Sequence, residues 1–279
     1  MRIYRIKGQI YAIYIFLFFI SFCFTQNLQV RVVGKTKIDI PVLGPVEMTV
    51  NQTVASGFFK AETKIEAKRF YASWLMDGET GEVMIDGSEK ILKYNKKKEE
   101  YWLQSPIDYF KEPDTSSNYT KSISFSSSPN DEKSSISVTR TGGSEIESVH
   151  GFRTKKWITT INFTKEKFMV FEEWFVDELP LMRLSDSLEY AIKTNFNQEE
   201  DAVEIGLFDL SSNIFIEEMD SLTTLKPISG SAIKINFSVF EESGNPKTTL
   251  GFEILELYAE PVDTGYFVIP ETYKRVENE

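Results

Sequence analysis

The 279-residue sequence predicts a mainly β protein of α+β type, built on antiparallel strands with a few helices. Three observations predict it. An aromatic β-hairpin runs from His150 to Met182, with arms at about Phe152–Ile161 and Phe168–Val176 and a polar turn at Asn162–Lys167. Short strand-like stretches separated by turn residues recur along the first hundred residues, the spacing of a sandwich or barrel. Helical periodicity is confined to Ser185–Thr194 and Ser212–Leu225.

The hairpin is the organising stretch because aromatic and β-branched residues favour strands. In its second arm Phe168, Val170, Trp174 and Val176 fall on one side, and Met169, Phe171 and Phe175 on the other. A strand with one wet face alternates apolar and polar residues. This arm is apolar on both sides apart from Glu172 and Glu173, so it is expected to be central.

In chain order, Val30–Val33 and Ile38–Val42 read as edge strands, and Val46–Ala55 with Phe58–Ile65 as a strand pair. Lys68–Met76 reads as a strand with Phe70, Ala72, Trp74 and Met76 on one face, followed by a turn at Asp77–Gly81. Glu82–Asp86, Lys90–Tyr94 and Glu99–Leu103 continue the meander, and Ser105–Phe110 is a short helix or an irregular crossing. The stretch of about 112–135, rich in Ser, Asp, Asn and Pro, reads as a loop. Ser135–Arg140 is a strand and Gly142-Gly143 a turn. Pro180 ends the sheet run, and the helix after it is capped by Ser185, with Leu184, Leu188, Ala191 and Ile192 along one side. Met219 lies on one face of the second helix. Ala232–Phe240 and Thr248–Ala259 form the last strand pair.

The N-terminus carries Arg2, Arg5 and Lys7, then an apolar run from Ile10 to Phe24, and polar residues from Thr25. That is the pattern of a secretory signal peptide over residues 1–25. The run is shorter than the roughly 20 residues that span a bilayer. The expected organisation is therefore a signal followed by a single β domain over 26–279, with a periplasmic or extracellular location. Cys23 is the only cysteine; Phe22 before it is not the small residue that a lipoprotein signal requires. Cleavage after Thr25 leaves 28 basic against 42 acidic residues, a net charge of −14. That balance disfavours nucleic acid, whose phosphates need clustered Lys and Arg, and as a whole it disfavours anionic membrane surfaces.

No catalytic centre is visible, and no enzymatic activity and no cofactor are expected. His150 is the only histidine, so zinc sites with two or three histidines lack material; a Ser-His-Asp triad would have to use His150 itself, which beside Gly151 reads as a turn histidine. No phosphate-binding or dinucleotide fingerprint occurs. Glu172 and Glu173, being adjacent in a strand, point to opposite faces and cannot form a glycosidase pair. The four sequons at Asn51, Asn118, Asn162 and Asn236 matter only in a eukaryotic secretory host. What remains is apolar. Trp74, Met76, Trp102, Trp157, Met169, Phe171, Phe175 and Met219 are the candidates to line a ligand space between sheet and helices, with ordinary core as the competing role.

The segments RFYASWLMDG, GEVMIDGSEKILKYNKKKEEYW, HGFRTKKWITT, FMVFEEWFVDELP and YFVIPETYKRV, spread over residues 46–276, resemble in order and pattern a family of exported bacterial proteins of unknown function that look like the LolA-type lipoprotein carriers. None of them is a catalytic motif. The resemblance implies an open, strongly curved antiparallel sheet, an incomplete β-barrel with helices on its concave face and an apolar cavity for acyl chains. This chain departs from the carriers in length and in the Ser-rich stretch near 112–135. The expected function is an exported carrier of a lipid or other apolar ligand, with an envelope protein as a further partner; the alternative is a non-catalytic structural or interaction module with a fully packed core.

Overall fold

A computed structural model describes residues 28–41, 44–111, 137–164, 166–196, 225–241 and 244–277. The strands are β1 (Leu28–Ile40), β2 (Gly44–Ala55), β3 (Phe58–Ala67), β4 (Gly78–Ile85), β5 (Ile91–Asn95), β6 (Glu100–Gln104), β7 (Ser137–Val149), β8 (Phe152–Asn162), β9 (Lys167–Val176), β10 (Ser231–Glu241), β11 (Pro246–Pro261) and β12 (Lys274–Arg275). The helices are α1 (Phe70–Met76), α2 (Pro106–Lys111) and α3 (Pro180–Phe196). All the strands join one open sheet in the order β12-β6-β5-β4-β3-β2-β1-β11-β10-β9-β8-β7. Every pairing is antiparallel except the short β12–β6 contact.

Two meanders make the sheet. One runs β1 to β6 and the other β7 to β11, and they are zipped together by β1 against β11, where Leu28 pairs with Pro261 and Asp39 with Thr249. The first strand is thus in the middle of the sheet. This corrects the reading of Val30–Val33 and Ile38–Val42 as edge strands: Leu28–Ile40 is one strand with β2 on one side and β11, more than 200 residues away, on the other, a pairing that local patterning cannot reveal, while Val42 lies outside the described residues.

The aromatic hairpin forms as expected. Its arms are β8 and β9, and β9 is interior, flanked by β8 and β10. The two sides of β9 feed separate apolar clusters: Trp174 and Val176 join a large core with Val30, Val50, Phe59 and Leu179, whereas Met169 and Phe171 join Ile161 and Phe237. The turn histidine is also found, with His150 at φ 49° beside Gly151. Gly142 and Gly143 do not turn the chain. They bulge β7, with Gly142 tight against the backbone of Lys156 and Gly143 against the Trp157 ring, positions where a Cβ does not fit.

Two further corrections concern the stretch after β3. Lys68–Met76 is not a strand. Phe70–Met76 is helical, with Ser73 N–H donating to Arg69 O at 2.8 Å and Asp77 N–H to Ser73 O at 3.0 Å. Ala, Leu and Met in FYASWLM are good helix formers, and the aromatic spacing that fits a strand also puts Phe70 and Trp74 one helical turn apart. The Asp77–Gly81 turn is not found either, because Gly78–Gly81 already pairs with β3. The Asp77 carboxylate instead accepts the Ala67 N–H at 2.7 Å, which ties the end of α1 to the end of β3. Ser105–Phe110 resolves into α2. The expected loop at 112–135 and the expected second helix with Met219 lie outside the described residues.

Helix α3 begins at Pro180, a residue suited to a first helical position, and is longer than its expected span. It lies against β1, β2, β3 and β11. Its buried residues are Ser185, Glu189, Ile192 and Phe196, so the expected stripe of Leu184, Leu188, Ala191 and Ile192 is rotated. Leu184 and Ala191 are exposed, and Ser185 sits inside the helix interface and not at its cap. Burying Ile192 and Phe196 contributes about 1.5–3 kcal/mol each.

Candidate functional site

The face of the sheet beneath α3 carries a row of side chains set by register alone. Gln52 on β2 is opposite Ala61 on β3, Ala61 is opposite Glu82 on β4, Glu82 is opposite Lys93 on β5, and Lys93 is opposite Trp102 on β6. Cross-strand partners point to the same face, so an amide, a carboxyl, an ammonium and an indole line up across five strands.

Helix α3 caps one end of the row. Ser185, Glu189 and Lys193 follow one another at i, i+4 spacing and share a face. Gln52 Nε2 donates to Glu189 Oε2 at 2.8 Å and reaches Ser185 Oγ at 3.4 Å. Lys193 Nζ lies 2.6 Å from Glu189 Oε1 and 5.6 Å from the centre of the Phe59 ring. Gln52 and Glu189 are both fully buried. Helix α2 caps the middle: Tyr109 Oη donates to Glu82 Oε1 at 3.0 Å, and Lys93 Nζ sits 4.9 Å from the Tyr109 ring centre. Burial pushes the Glu82 carboxyl above its ordinary range, against the opposing pull of Lys93, Lys193 and the Tyr109 hydrogen bond, and Glu189 adds to the upward push. A cavity of ≈ 190 Å³ opens beside the row between Thr63, Thr80, Glu82, Lys93 and Trp102. A groove of ≈ 710 Å³ runs along the β6–β12 edge between Gln104, Asp108, Arg275 and Glu277.

A further buried carboxyl lies on the same face in the other wing. Glu173 is raised by burial, with Arg140 and a Thr159 hydrogen bond pulling the other way, and its Oε2 has no hydrogen-bond partner. Arg140 itself donates to Thr159 Oγ1 at 2.9 Å and to the Lys226 carbonyl at 2.8 Å.

The sequence-predicted lining residues divide as follows. Trp102 borders the small cavity. Trp157, Met169, Phe171 and Phe175 stand on β8 and β9 on the α3-bearing face, because Phe171 pairs with Phe237, Phe237 with Leu250, Leu250 with Ile38 and Ile38 with Val46, on the same side of β2 as Gln52. They are therefore on the same face as Trp102 but near the opposite edge of the sheet, and no single cavity gathers them. Met76 packs beside Val46 and Ala67. Trp74 stands away from the set, 82% exposed on α1. Met219 lies outside the described residues.

The polar row was missed in the sequence because each member is an ordinary polar strand residue and only the register joins them. The one signal available was the Ser185, Glu189, Lys193 spacing on α3. Chemically the row offers donors and acceptors with a carboxyl biased towards its neutral form. Among the described residues no three His, Cys, Asp or Glu side chains are placed to hold a metal ion. His150 is tied by Nε2 to Glu253 at 3.1 Å. No protein-family model and no curated protein sequence matches this chain.

Proposed function

We propose that this protein is an exported, non-catalytic binding protein of carrier type, which holds a lipid or other apolar ligand between the open sheet and α3, with the sheet acting as an incomplete barrel. The observation that carries this reading is the mixed inner face of α3. A helix seated permanently on a sheet is expected to bury an apolar stripe. This one buries Ser185 and Glu189 beside Ile192 and Phe196. When such a helix lifts, Gln52, Glu189 and Lys193 regain water, which offsets part of the cost of exposing the apolar residues. Apolar side chains flank it on the same face, Trp102 in one wing and Phe171 and Met169 in the other, where an acyl chain would find burial worth about 25 cal/mol per Å².

A second reading, a structural or protein-interaction module, is favoured by the closure of the core. Val30, Val54 and Phe59 are fully buried, and the two described openings are bordered largely by polar groups. Native mass spectrometry of the detergent-free protein, with lipid extraction of the same sample, separates the two. A bound mass recovered as lipid, lost in Phe171→Asp, is the expected result. A clean unliganded mass with no uptake of an apolar fluorescent probe overturns the carrier reading in favour of the packed module.

A further inference from the structure

Helix α1 turns its aromatic residues outward. Phe70 is 89% and Trp74 82% exposed, one turn apart, and Tyr71 beside them is half exposed. Large apolar residues grouped in this way on a surface mark a contact site. The helix lies at the sheet end where β3 gives way to β4, and the β5–β6 tip lies at the same end of the sheet, with Lys96 N–H donating to Glu79 O on β4 at 2.9 Å. That tip is Lys96-Lys97-Lys98, closed by Glu99. Lys68 and Arg69 precede the helix directly. The nearby acids are engaged: Glu66 with Lys64 at 3.0 Å, Glu79 with Lys96 at 2.6 Å, Glu47 with Lys35 at 2.7 Å, and Asp77 with the Ala67 N–H. Lys68 itself lies 3.8 Å from Glu47, and Arg69 donates to the Pro41 carbonyl at 3.2 Å and to Tyr71 Oη at 3.0 Å, whereas Lys97 and Lys98 stand exposed at the tip.

We propose that α1 and the β5–β6 tip form a docking surface for an anionic lipid bilayer, with Trp74 and Phe70 entering the interface and Lys97 and Lys98 facing the headgroups. Tryptophan and tyrosine suit that layer because one part of the ring is apolar and the other hydrogen-bonds. The acidic net charge does not prevent it, since at physiological ionic strength fields fade over about 8 Å and the groups at this tip dominate what the bilayer meets. The proposal deepens the carrier reading, on which it rests, because a lipid carrier must meet a membrane to load or unload.

The test is tryptophan quenching of the full chain by vesicles of phosphatidylglycerol and phosphatidylcholine with brominated acyl chains. The apolar run Ile10–Phe24 contains no tryptophan, so all of the signal comes from the sheet domain, and the comparison is made between wild type and variants that share the same run. The expected results are quenching in wild type, most of it lost in Trp74→Phe, a partition weakened roughly tenfold in Phe70→Ser, and weaker quenching in Lys97→Glu/Lys98→Glu. No quenching in wild type, or quenching unchanged in Trp74→Phe, overturns the proposal and leaves α1 as a contact for a protein. Brominated lipid taken up as cargo would quench Trp102 and Trp157 and persist in Trp74→Phe, so only the Trp74-dependent part reports docking: a protein that docks but neither yields extractable lipid nor takes up the apolar probe refutes the carrier reading alone, and one that carries lipid without Trp74-dependent quenching refutes this one alone.

Discussion

Helices α1 and α3 invert the usual rule in opposite directions. The first holds Phe70 and Trp74 out in water; the second presses Ser185 and Glu189 into a sheet. Burial of apolar area favours the reverse of both. Each inversion costs stability in the isolated molecule, α1 through apolar surface left wet and α3 through polar groups that must be matched by Gln52 and Lys193. The two helices thus carry opposite misfits, one on its exposed face and the other on its buried face.

The sharpest way to break the comparison is to remove the apolar part of α3. Phe196→Ala or Ile192→Ala should lower stability by about 2–5 kcal/mol, read by urea unfolding, because both side chains are buried. A loss under about 1 kcal/mol would show that α3 is not seated on the core.

The polar part comes next. Gln52→Leu leaves a fully buried Glu189 without its amide donor and should cost about 1–3 kcal/mol. The double variant Gln52→Leu/Glu189→Leu should recover only part of that, since Glu189→Leu also strips the largely buried Lys193 ammonium of its partner. Strict additivity in the cycle would mean that the two side chains are uncoupled.

A smaller effect follows from the Glu82 carboxyl, raised by burial. Its folded form holds a proton that its unfolded form, near 4.5, gives up. Stability should therefore fall as pH rises above 4.5 through the folded value, and Glu82→Gln should flatten that fall. Glu62 and Glu253 work in the opposite sense. Both are held low, Glu62 by the Tyr94 hydrogen bond and by Lys60 and Lys96, Glu253 by His150, Lys234 and Lys37, against the upward push of burial. Their contribution is present above 4.5 and lost as pH falls below it. Thermal unfolding across pH 3 to 8 should show both limbs in wild type and, in Glu82→Gln, a shallower fall above 4.5, to which Glu173 still contributes, with the acid limb unchanged.

The smallest effect on stability belongs to α1. Phe70→Ser/Trp74→Ser should move unfolding by no more than about 0.5 kcal/mol, although it removes the largest exposed aromatic surface described. A large loss would mean that α1 supports the sheet.

Legibility in the sequence followed how local each feature is. The β8–β9 hairpin was readable because its arms are adjacent and their alternation places Trp174 opposite Phe171 without any knowledge of neighbours. The same alternation misled at α1, where Phe70, Ala72, Trp74 and Met76 fit a strand as well as a two-turn helix, and exposure carries no signal in residue type. The position of β1 was unreadable, because nothing in Leu28–Ile40 names β11 as its partner. The Gln52–Glu82–Lys93–Trp102 row exists only once four separate registers are fixed.

The β1–β11 seam has a consequence in time. The first meander can form from near neighbours, but its inner strand lacks one partner until residues 246–261 have left the ribosome. Sheets closed by such distant pairings fold slowly, since the entropy of a long loop is lost before any contact repays it. Residues 246–261 therefore set the moment at which the two meanders become one sheet, whatever the first has already formed.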